Sequence, residues 1–382
     1  MATKSINFGI IGCGLMGREF ASAVARWCHL LDMDVTPRLI AVCDSNPAAM
    51  EWYQRNFPSI TIASANYCEL LSSSEIDAIY CAVPHNLHEQ FYVDIIKSGK
   101  HLMAEKPFGI DQAANSAIIN AVADNPSSLV RCSSEFPYYP GAQRILNMIR
   151  NDDIGEIIEV QAGFLHSSDL DPNKPINWKR QIAVNGEYGC MGDLGMHALH
   201  VPLRLGWTPI NVRALLSNIV KERPGRDGSM EACETWDNAI LSCEAKSAAG
   251  QVFPMTVETK RIAPGETNTW YLNVYGTRRS AKFTTKYPKT LQTMTYTEGG
   301  SQTWQSEDLG SKSAYATITG GIFEFGFSDS ILQMWAAFCD EVVHSDEMHQ
   351  PFHCATPEET AQSHKLFTAA LESQRNRSVV VL

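Results

Sequence analysis

The feature that most constrains this chain is a glycine-rich turn between an apolar segment and a helical one. Residues 6–11 form an apolar run typical of a buried strand, Gly12-Cys13-Gly14-Leu15-Met16-Gly17 follows it, and residues 15–27 have helical spacing. In this context the glycines of G-x-G-x-x-G permit a tight turn, a close approach to a pyrophosphate, and close packing of helix on strand. The motif therefore predicts a dinucleotide site with the pyrophosphate at the helix N-terminus.

The rest of the chain shows two different sequence patterns. Short apolar runs alternate with helical segments up to about residue 132, which predicts a parallel sheet built from βαβ units. After residue 153, Thr/Val/Tyr-rich segments divided by turns predict a mostly antiparallel sheet, closed by helices at 328–344 and 356–376. We expect an α/β chain of two domains: a doubly wound Rossmann domain over 1–135 and an α+β domain over 136–382. The pattern leaves open whether the closing helices pack back on the first domain.

Composition excludes several classes of protein. The 382 residues carry a formal net charge of −11, which disfavours binding to polyanionic nucleic acid. No run of 18 apolar residues and no signal peptide is apparent, so we expect no membrane association. The eleven cysteines are scattered without a C-x-x-C pair, which predicts free thiols in a reducing cytoplasm. Alkylation of Cys13, inside the glycine turn, is expected to block cofactor binding.

The second predicted strand ends in Asp44, a position that selects between dinucleotides. A carboxylate there binds ribose hydroxyls and repels a 2′-phosphate, so we expect NAD rather than NADP. Asp44 lies 27 residues after Gly17 rather than roughly 20. We interpret residues 28–37 as an inserted loop that accounts for the difference. Asp44 is also placed to cap the following helix.

Two further segments carry candidate chemistry. Glu105-Lys106-Pro107 ends a predicted strand of the parallel sheet, which places an ammonium near the cofactor. Asp193 and His197 are four residues apart, so on a helix their side chains share one face and form a general-base pair. With His200 they could instead form a metal face. We expect no metal, because no further ligands lie nearby and hydride transfer from an alcohol needs none.

The three motifs GCGLMG, AEKPF and GDLGMHALH occur here in one order, together with CAVPHNLH at 81–88 and LNVYGTRRSAKF at 272–283. The chain thereby resembles the glucose–fructose oxidoreductase / inositol dehydrogenase (Gfo/Idh/MocA) family over nearly its whole length. The resemblance implies reversible oxidation of a secondary hydroxyl on a sugar, a sugar derivative or a cyclitol, with a small-molecule substrate. It also implies a homodimer or a homotetramer.

The resemblance assigns roles to individual residues. It implies that Lys106 holds the reacting hydroxyl, that His197 is the general acid/base, and that Asp193 supports it and binds the adjacent hydroxyl. The expected cofactor-binding residues are Gly12, Gly14, Leu15, Met16, Gly17, Asp44, Val83, Pro84, His88, Glu105, Lys106 and Trp178, with Pro84 and His88 beside the nicotinamide ribose. The expected substrate-binding residues are Lys106, Tyr138, Lys179, Asp193 and His197.

Some of these assignments keep an alternative. Tyr138 and Tyr139 either frame the substrate pocket or pack at a helix start, and residues 178–180 either lie near cofactor and substrate or form an exposed loop. For His166 we favour an ordinary position facing water. At the level of function, the alternatives are a redox-neutral NAD-dependent glycoside hydrolase and a non-catalytic NAD-dependent sensor. The presence of Lys106, Asp193 and His197 makes the sensor the least favoured.

Overall fold

A parallel sheet of six strands forms the first layer of the protein. The computed structural model describes residues 4–310 and 312–382. The strands are β1 (Lys4–Ile11), β2 (Val35–Cys43), β3 (Ile62–Ser64), β4 (Ala78–Cys81), β5 (His101–Ala104) and β6 (Val130–Cys132). Their order is β3-β2-β1-β4-β5-β6, with β1 parallel to both β2 and β4. The strand order thus reverses next to β1, and in doubly wound sheets ligands bind at the carboxyl ends of the strands beside such a reversal.

Five helices connect these strands and cover both faces of the sheet. They are α1 (Leu15–Ala25), α2 (Pro47–Asn56), α3 (Tyr67–Ser72), α4 (His88–Lys97) and α5 (Gln112–Asp124). Three of them begin at side chains that accept a hydrogen bond from a backbone N–H of the first turn: Asn46, Asn66 and Asp111. All four residues of β4 are buried, as expected of a strand with helices on both sides.

The second sheet is larger and mostly antiparallel, as predicted. Its strands are β7 (Ile157–Leu165), β8 (Thr208–Pro209), β9 (Asn211–Ser217), β12 (Asn238–Lys246), β13 (Val252–Lys260), β14 (Thr269–Gly276), β15 (Arg279–Thr284), β16 (Thr290–Thr295), β17 (Gln305–Asp308) and β18 (Val380–Val381). The order is β17-β16-β15-β14-β7-β13-β12-β9-β18, with β8 beside β12. Only β7 and β13 pair in parallel among these. A separate hairpin contains β10 (Glu222–Pro224) and β11 (Met230–Ala232).

Helix α8 (Cys190–Arg204) lies against the inner face of the second sheet and carries Asp193 and His197. Its residues 190–203 are all buried. The indole nitrogen of Trp270, on β14, donates a hydrogen bond of 2.8 Å to the carbonyl oxygen of His197. Helices α6 (Pro140–Arg150) and α7 (Ile182–Asn185) precede it. The helix is therefore fixed in position between the two sheets.

Two long helices close the chain. Trp335, on α9 (Phe327–His344), packs against Phe20 of α1 with ring centroids 3.8 Å apart, and against Phe8 of β1 at 5.7 Å. Helix α10 (Pro357–Asn376) begins at Thr356, whose hydroxyl accepts from the backbone of Glu359. The expected division at residue 135 stays a prediction, and residues 1–3 of the first unit lie outside the described residues.

The structure departs from the expected elements near the second strand. Strand β2 begins at Val35, and a 3₁₀ turn spans Trp27–His29, so the loop expected over 28–37 is shorter than proposed. Strand β3 and helix α3 were not expected, because three and six residues give little periodicity to detect. All eleven cysteines are unpaired, and nine of them are buried. Among the described residues, no helix is long and apolar enough to cross a membrane.

Candidate active site

The glycine turn has the close packing that its motif predicts. Gly12 has a φ of +96°, and a Cβ added there would collide with the carbonyl oxygen of Ala82 on the neighbouring β4 turn. A Cβ at Gly17 would lie 2.6 Å from the Gly12 carbonyl oxygen. A Cβ at Gly14 would meet nothing within 4 Å. Gly14 therefore presents bare backbone at the start of α1, a cradle that fits a pyrophosphate.

A cavity of about 670 Å³ opens at the carboxyl ends of β1 and β4, beside this turn. Ten of the twelve predicted cofactor residues line it: Gly12, Gly14, Leu15, Met16, Asp44, Val83, Pro84, Glu105, Lys106 and Trp178. Lys179 and Asp193, predicted as substrate residues, line it as well. Tyr67 and Phe91, which no pattern singled out, are stacked 4.2 Å apart on the same wall. Three of the five predicted substrate residues, Lys106, Lys179 and Asp193, thus share one cavity with the cofactor residues, whereas Tyr138 and His197 are not among its lining residues.

His88 does not reach this cavity, which corrects its predicted contact with the ribose. The ring is fully buried, with Nδ1 2.6 Å from the Pro107 carbonyl oxygen and Nε2 2.9 Å from that of Val83. Burial lowers the pKa of His88 to about 4, so the ring is neutral and donates from one nitrogen. His88 therefore contacts the backbone carbonyls of Val83 and Pro107 from the buried side, away from the cavity. Gly17, likewise, acts by packing rather than by lining the cavity.

Asp44 lines the cavity and also shapes the glycine turn. One carboxylate oxygen accepts a hydrogen bond of 2.8 Å from the Cys13 backbone, and the other accepts one of 2.8 Å from that of Asn46. The cap of α2 is Asn46, so Asp44 does not serve as the cap. The Cys13 thiol is only 1% exposed, and burial, with Asp44, raises its pKa to about 12. A buried, protonated thiol reacts slowly with alkylating agents, and the expectation that alkylation of Cys13 blocks cofactor binding stays a prediction.

Three cations converge on the carboxylate of Asp193. Lys106 Nζ lies 3.0 Å from Oδ1, Lys179 Nζ lies 2.9 Å from Oδ1 and 3.0 Å from Oδ2, and Arg261 donates to Oδ2. We call these four residues the Asp193 cluster. Its members come from the end of β5, a turn before α7, helix α8 and the end of β13. Removing one partner of such a buried pair typically costs about 3–5 kcal/mol.

The charges in the Asp193 cluster set its protonation. Burial raises the pKa of Asp193, but the three cations outweigh burial and hold the pKa well below its usual range. Burial lowers the pKa of Lys106, yet Asp193 and Glu105 outweigh it, so the net pKa is raised. For Lys179 burial prevails and the pKa falls to about 8, since one carboxylate cannot compensate three cations equally. Lys106 is thus the firmly protonated lysine of the cavity.

A second layer of buried charges supports the Asp193 cluster. Asp169 accepts from Arg261 Nε at 2.8 Å, from Lys174 Nζ at 3.0 Å, and from Arg180. Arg180, which is fully buried, also donates to Asp237. Residues 178–180 therefore do not form an exposed loop. Sequence reasoning missed Arg261, Asp169 and Asp237, and the available signal was a charge directly beside a strand end, as at Arg261 after β13.

The predicted pairing of Asp193 with His197 is not formed. Both oxygens of Asp193 are taken by cations, and Nδ1 of His197 is buried without a hydrogen-bond partner among the described residues. The carboxylate nearest to that nitrogen is Glu135, with Oε2 at 3.7 Å. Burial raises the pKa of Glu135 to about 8, and burial followed by Lys106 holds the pKa of His197 well below its usual range. A neutral imidazole therefore faces a neutral carboxyl.

Glu135 could have been found in the sequence. It follows β6 by three residues, so it belongs to the same edge of the parallel sheet as Lys106. The predicted Tyr138 is wrong as a substrate residue, because it is fully buried and its hydroxyl contacts the Phe352 carbonyl oxygen at 3.3 Å. Tyr139 packs instead on Phe325, with ring centroids 5.1 Å apart. The alternative in which these tyrosines pack is the one observed.

Two histidines also differ from their expected surroundings. The metal face of Asp193, His197 and His200 is not assembled, since His200 Nε2 lies 3.1 Å from Arg204 Nη2 instead. His166 lines a second cavity of about 380 Å³ that also includes Trp178, Lys179, Asp193 and Arg261. Burial lowers its pKa to about 4. His166 therefore faces the Asp193 cluster, and the second cavity extends the first beyond Asp193.

The fold and this site define a two-sheet oxidoreductase whose dinucleotide cleft adjoins a lysine–carboxylate cluster. Residues 6–130 match the family model described as "Oxidoreductase family, NAD-binding Rossmann fold", and residues 142–282 match the GFO/IDH/MocA C-terminal domain. The chain belongs to the GFO/IDH/MocA family of oxidoreductases, and its first domain is an NAD-binding Rossmann fold. The predicted family, fold class and cofactor are confirmed.

Individual relatives are distant. Levoglucosan dehydrogenase of Pseudarthrobacter phenanthrenivorans is 24% identical over 73% of this chain and 74% of its own length. Glucose-6-phosphate 3-dehydrogenase of Bacillus subtilis is 25% identical over 74% of this chain and 75% of its own. A solved structure of levoglucosan dehydrogenase in complex with NADH aligns with a TM-score of 0.86 at 20% identity, covering 99% of both chains. At that identity the structural likeness shows the shared fold.

Proposed function

We propose that this protein is an NAD-dependent dehydrogenase that reversibly oxidises a secondary hydroxyl of a sugar, a sugar derivative or a cyclitol. The observation that carries the proposal is the position of Lys106 and Asp193 in the same cavity as Gly12 and Gly14. A protonated amine there would stabilise the negative charge that develops on an alcohol oxygen as hydride leaves the adjacent carbon. The names of both curated relatives, which are sugar dehydrogenases, support the substrate class.

The residues present fit NAD along the first cavity. The backbone from Gly12 to Leu15 would hold the pyrophosphate, and Asp44 would accept from the adenosine ribose hydroxyls. The stacked pair Tyr67 and Phe91 offers an apolar wall on the Asp44 side. When bound, NAD supplies the hydride acceptor. Because the Asp44 carboxylate repels a 2′-phosphate, we propose a preference for NAD over NADP.

The residues of the Asp193 cluster are proposed to stabilise the developing charge and to bind the substrate. Lys106 donates to the reacting hydroxyl and stabilises its developing negative charge, and Asp193 keeps Lys106 protonated and in place. Asp193 and Lys179 also lie where the neighbouring hydroxyls of a polyol would bind, next to the second cavity. A bound substrate would compete for the oxygens that Asp193 now shares among three cations.

His197 is the proposed acceptor of the hydroxyl proton. Its low pKa makes it neutral before reaction, which is the state that can accept a proton. Glu135, whose carboxyl is 3.7 Å from Nδ1, would take the orienting role that sequence analysis gave to Asp193 once the two groups approach to hydrogen-bond distance. When His197 gains a proton, the new positive charge would lower the pKa of the neighbouring Glu135, so the titrations of the two groups are coupled.

The test is a panel of sugars, cyclitols and glycosides assayed with NAD and with NADP. Absorbance of the reduced nicotinamide and release of aglycone are followed in the same samples. Net NADH without bond cleavage supports the dehydrogenase. Aglycone release without net NADH would instead establish the redox-neutral hydrolase, and a preference for NADP would overturn the role given to Asp44.

A further inference from the structure

A cluster of two histidines and two aspartates lies at the end of α9, apart from the residues that line the two cavities. Its members are Asp34, before β2, Asp340 and His344, on α9, and His349, in the segment that follows. We propose that Asp34, His344 and His349 bind a divalent transition-metal ion such as zinc, and that Asp340 orients both imidazoles. We call these four residues the α9 cluster.

The three proposed ligands are already close together. One ligand atom from each of Asp34, His344 and His349 lies within 4.8 Å of the others. His344 Nε2 and Asp34 Oδ2 are 3.1 Å apart. Nitrogen and oxygen ligands at tetrahedral zinc are separated by about 3.3 Å, given bonds of roughly 2.0–2.1 Å. Small rotations of the half-exposed His349 side chain would therefore complete the geometry.

Asp340 provides the feature that distinguishes a built metal site from a chance cluster. The residue is fully buried, and its Oδ1 lies 2.8 Å from Nδ1 of His344 and 2.7 Å from Nδ1 of His349. Metal-binding histidines are typically held in this way, with one ring nitrogen donating to a carboxylate while the other binds the metal. Because Nδ1 of both rings engages Asp340, the Nε2 atoms are the ones a cation would bind.

The orienting carboxylate is itself fixed from its other side. Asp340 Oδ2 accepts from the Tyr315 hydroxyl at 2.7 Å and from the His349 backbone at 2.8 Å. The two oxygens thus face four donor groups, and neither is available to bind a metal directly. The imidazole rings are 4.7 Å apart and perpendicular. This arrangement preorganises two histidines before any ion arrives.

Charge and ligand chemistry select the kind of ion. With neutral imidazoles the two aspartates give the α9 cluster a charge of −2, which a divalent ion neutralises. Two nitrogen ligands and one oxygen suit zinc, copper, nickel or cobalt rather than calcium or magnesium, which prefer all-oxygen sites. His349 has a side chain that is 46% exposed, so water can supply the fourth ligand.

The position of the α9 cluster suggests its effect. Asp34 leads into the first sheet, whereas His344 ends α9, the helix that packs on α1, and His349 lies in the segment after it. An ion bound by all three would join segments more than 300 residues apart in the chain. It would stabilise the packing of α9 against the Rossmann domain, and it would lie outside the catalytic cavity.

The test uses the full-length protein stripped of metal with a chelator and then dialysed. Cys28 and Cys68 are exposed thiols, a class of side chain that binds zinc, so all samples carry Cys28→Ser and Cys68→Ser to remove that contribution. Zinc is titrated by calorimetry, cobalt(II) is added to record its visible ligand-field bands, and the Tm is measured with and without metal. We expect one ion per chain, cobalt bands typical of a four-coordinate site, and a higher Tm.

Two variants and one control decide the assignment. His349→Ala and Asp34→Asn each remove one ligand from a partly exposed position, and each should weaken zinc binding at least about tenfold. His29→Gln alters a half-buried histidine outside the α9 cluster and should leave binding unchanged. The proposal is overturned if the parent protein binds no zinc at micromolar concentration, or if both ligand variants bind it as tightly as the parent does.

Discussion

The two walls of the central cavity are built in different ways. The cofactor wall is largely backbone, with Gly12 and Gly14 close in sequence and Asp44 bonded directly to the turn. The opposite wall, the Asp193 cluster, is made of charged side chains from four separate segments. A contiguous turn can be recognised by its own sequence, whereas converging charges exist only once the whole chain has folded. The two walls should therefore respond differently to substitution.

The largest effect should come from the Asp193 cluster. Lys106→Met removes the firmly protonated amine, and we expect kcat to fall by about 10²–10⁴-fold while the affinity for NAD changes little. Asp193 keeps Lys179 and Arg261 as partners, so the variant should fold. Steady-state kinetics and a fluorescence titration with NADH provide the two measurements.

The matched control is Lys179→Met, which also takes one ammonium from Asp193. Lys179 lines both cavities whereas Lys106 lines only the one that holds the glycine turn, so kcat should fall by a clearly smaller factor. Equal losses in both variants would show that the total charge matters rather than the position of Lys106. A loss below about tenfold for Lys106→Met would remove it from the catalytic role.

The same contrast explains what the sequence could predict. Gly12, Asp44 and Lys106 line the predicted cavity because each follows a strand in a sheet whose carboxyl edge binds ligands. Among the fold elements, the long periodic ones were predicted and the short β3 and α3 were missed.

The errors in the candidate site have one physical cause. Helical spacing correctly put Asp193 and His197 on one helix. It carried no information on Arg261, which follows β13 and donates to the Asp193 carboxylate. Likewise, nothing local distinguishes a buried Tyr138 from an exposed one, because its burial depends on Phe352, more than 200 residues away. Side-chain partners across the fold decided both outcomes.

A pair of alanine substitutions sharpens the contrast on the cofactor wall. Gly17→Ala puts a Cβ 2.6 Å from the Gly12 carbonyl oxygen, so it should lower stability by about 1–3 kcal/mol as well as weaken NAD binding. At Gly14 the Cβ meets nothing within 4 Å, so Gly14→Ala should leave the Tm of the free protein unchanged.

Gly14→Ala should nevertheless weaken NAD binding by about tenfold, since the new methyl group occupies space that the pyrophosphate needs. Thermal unfolding without ligand and a titration with NADH separate the two effects. Unchanged NAD affinity in Gly14→Ala would show that the pyrophosphate does not lie against this turn.

The last contrast concerns Glu135, which adjoins the Asp193 cluster but belongs to no motif. Its pKa is about 8 in the folded protein, against 4.5 for the ordinary side chain, so the folded state holds a proton that the unfolded chain releases. Its contribution to stability is complete below pH 4.5 and is lost as the pH rises to about 8.

Glu135→Gln is uncharged at every pH and removes this dependence. The Tm of the variant relative to the parent should therefore rise between pH 5 and pH 8 and level off above it. A constant difference across that range would mean that Glu135 is ionised in the folded protein, and that His197 faces a charged carboxylate.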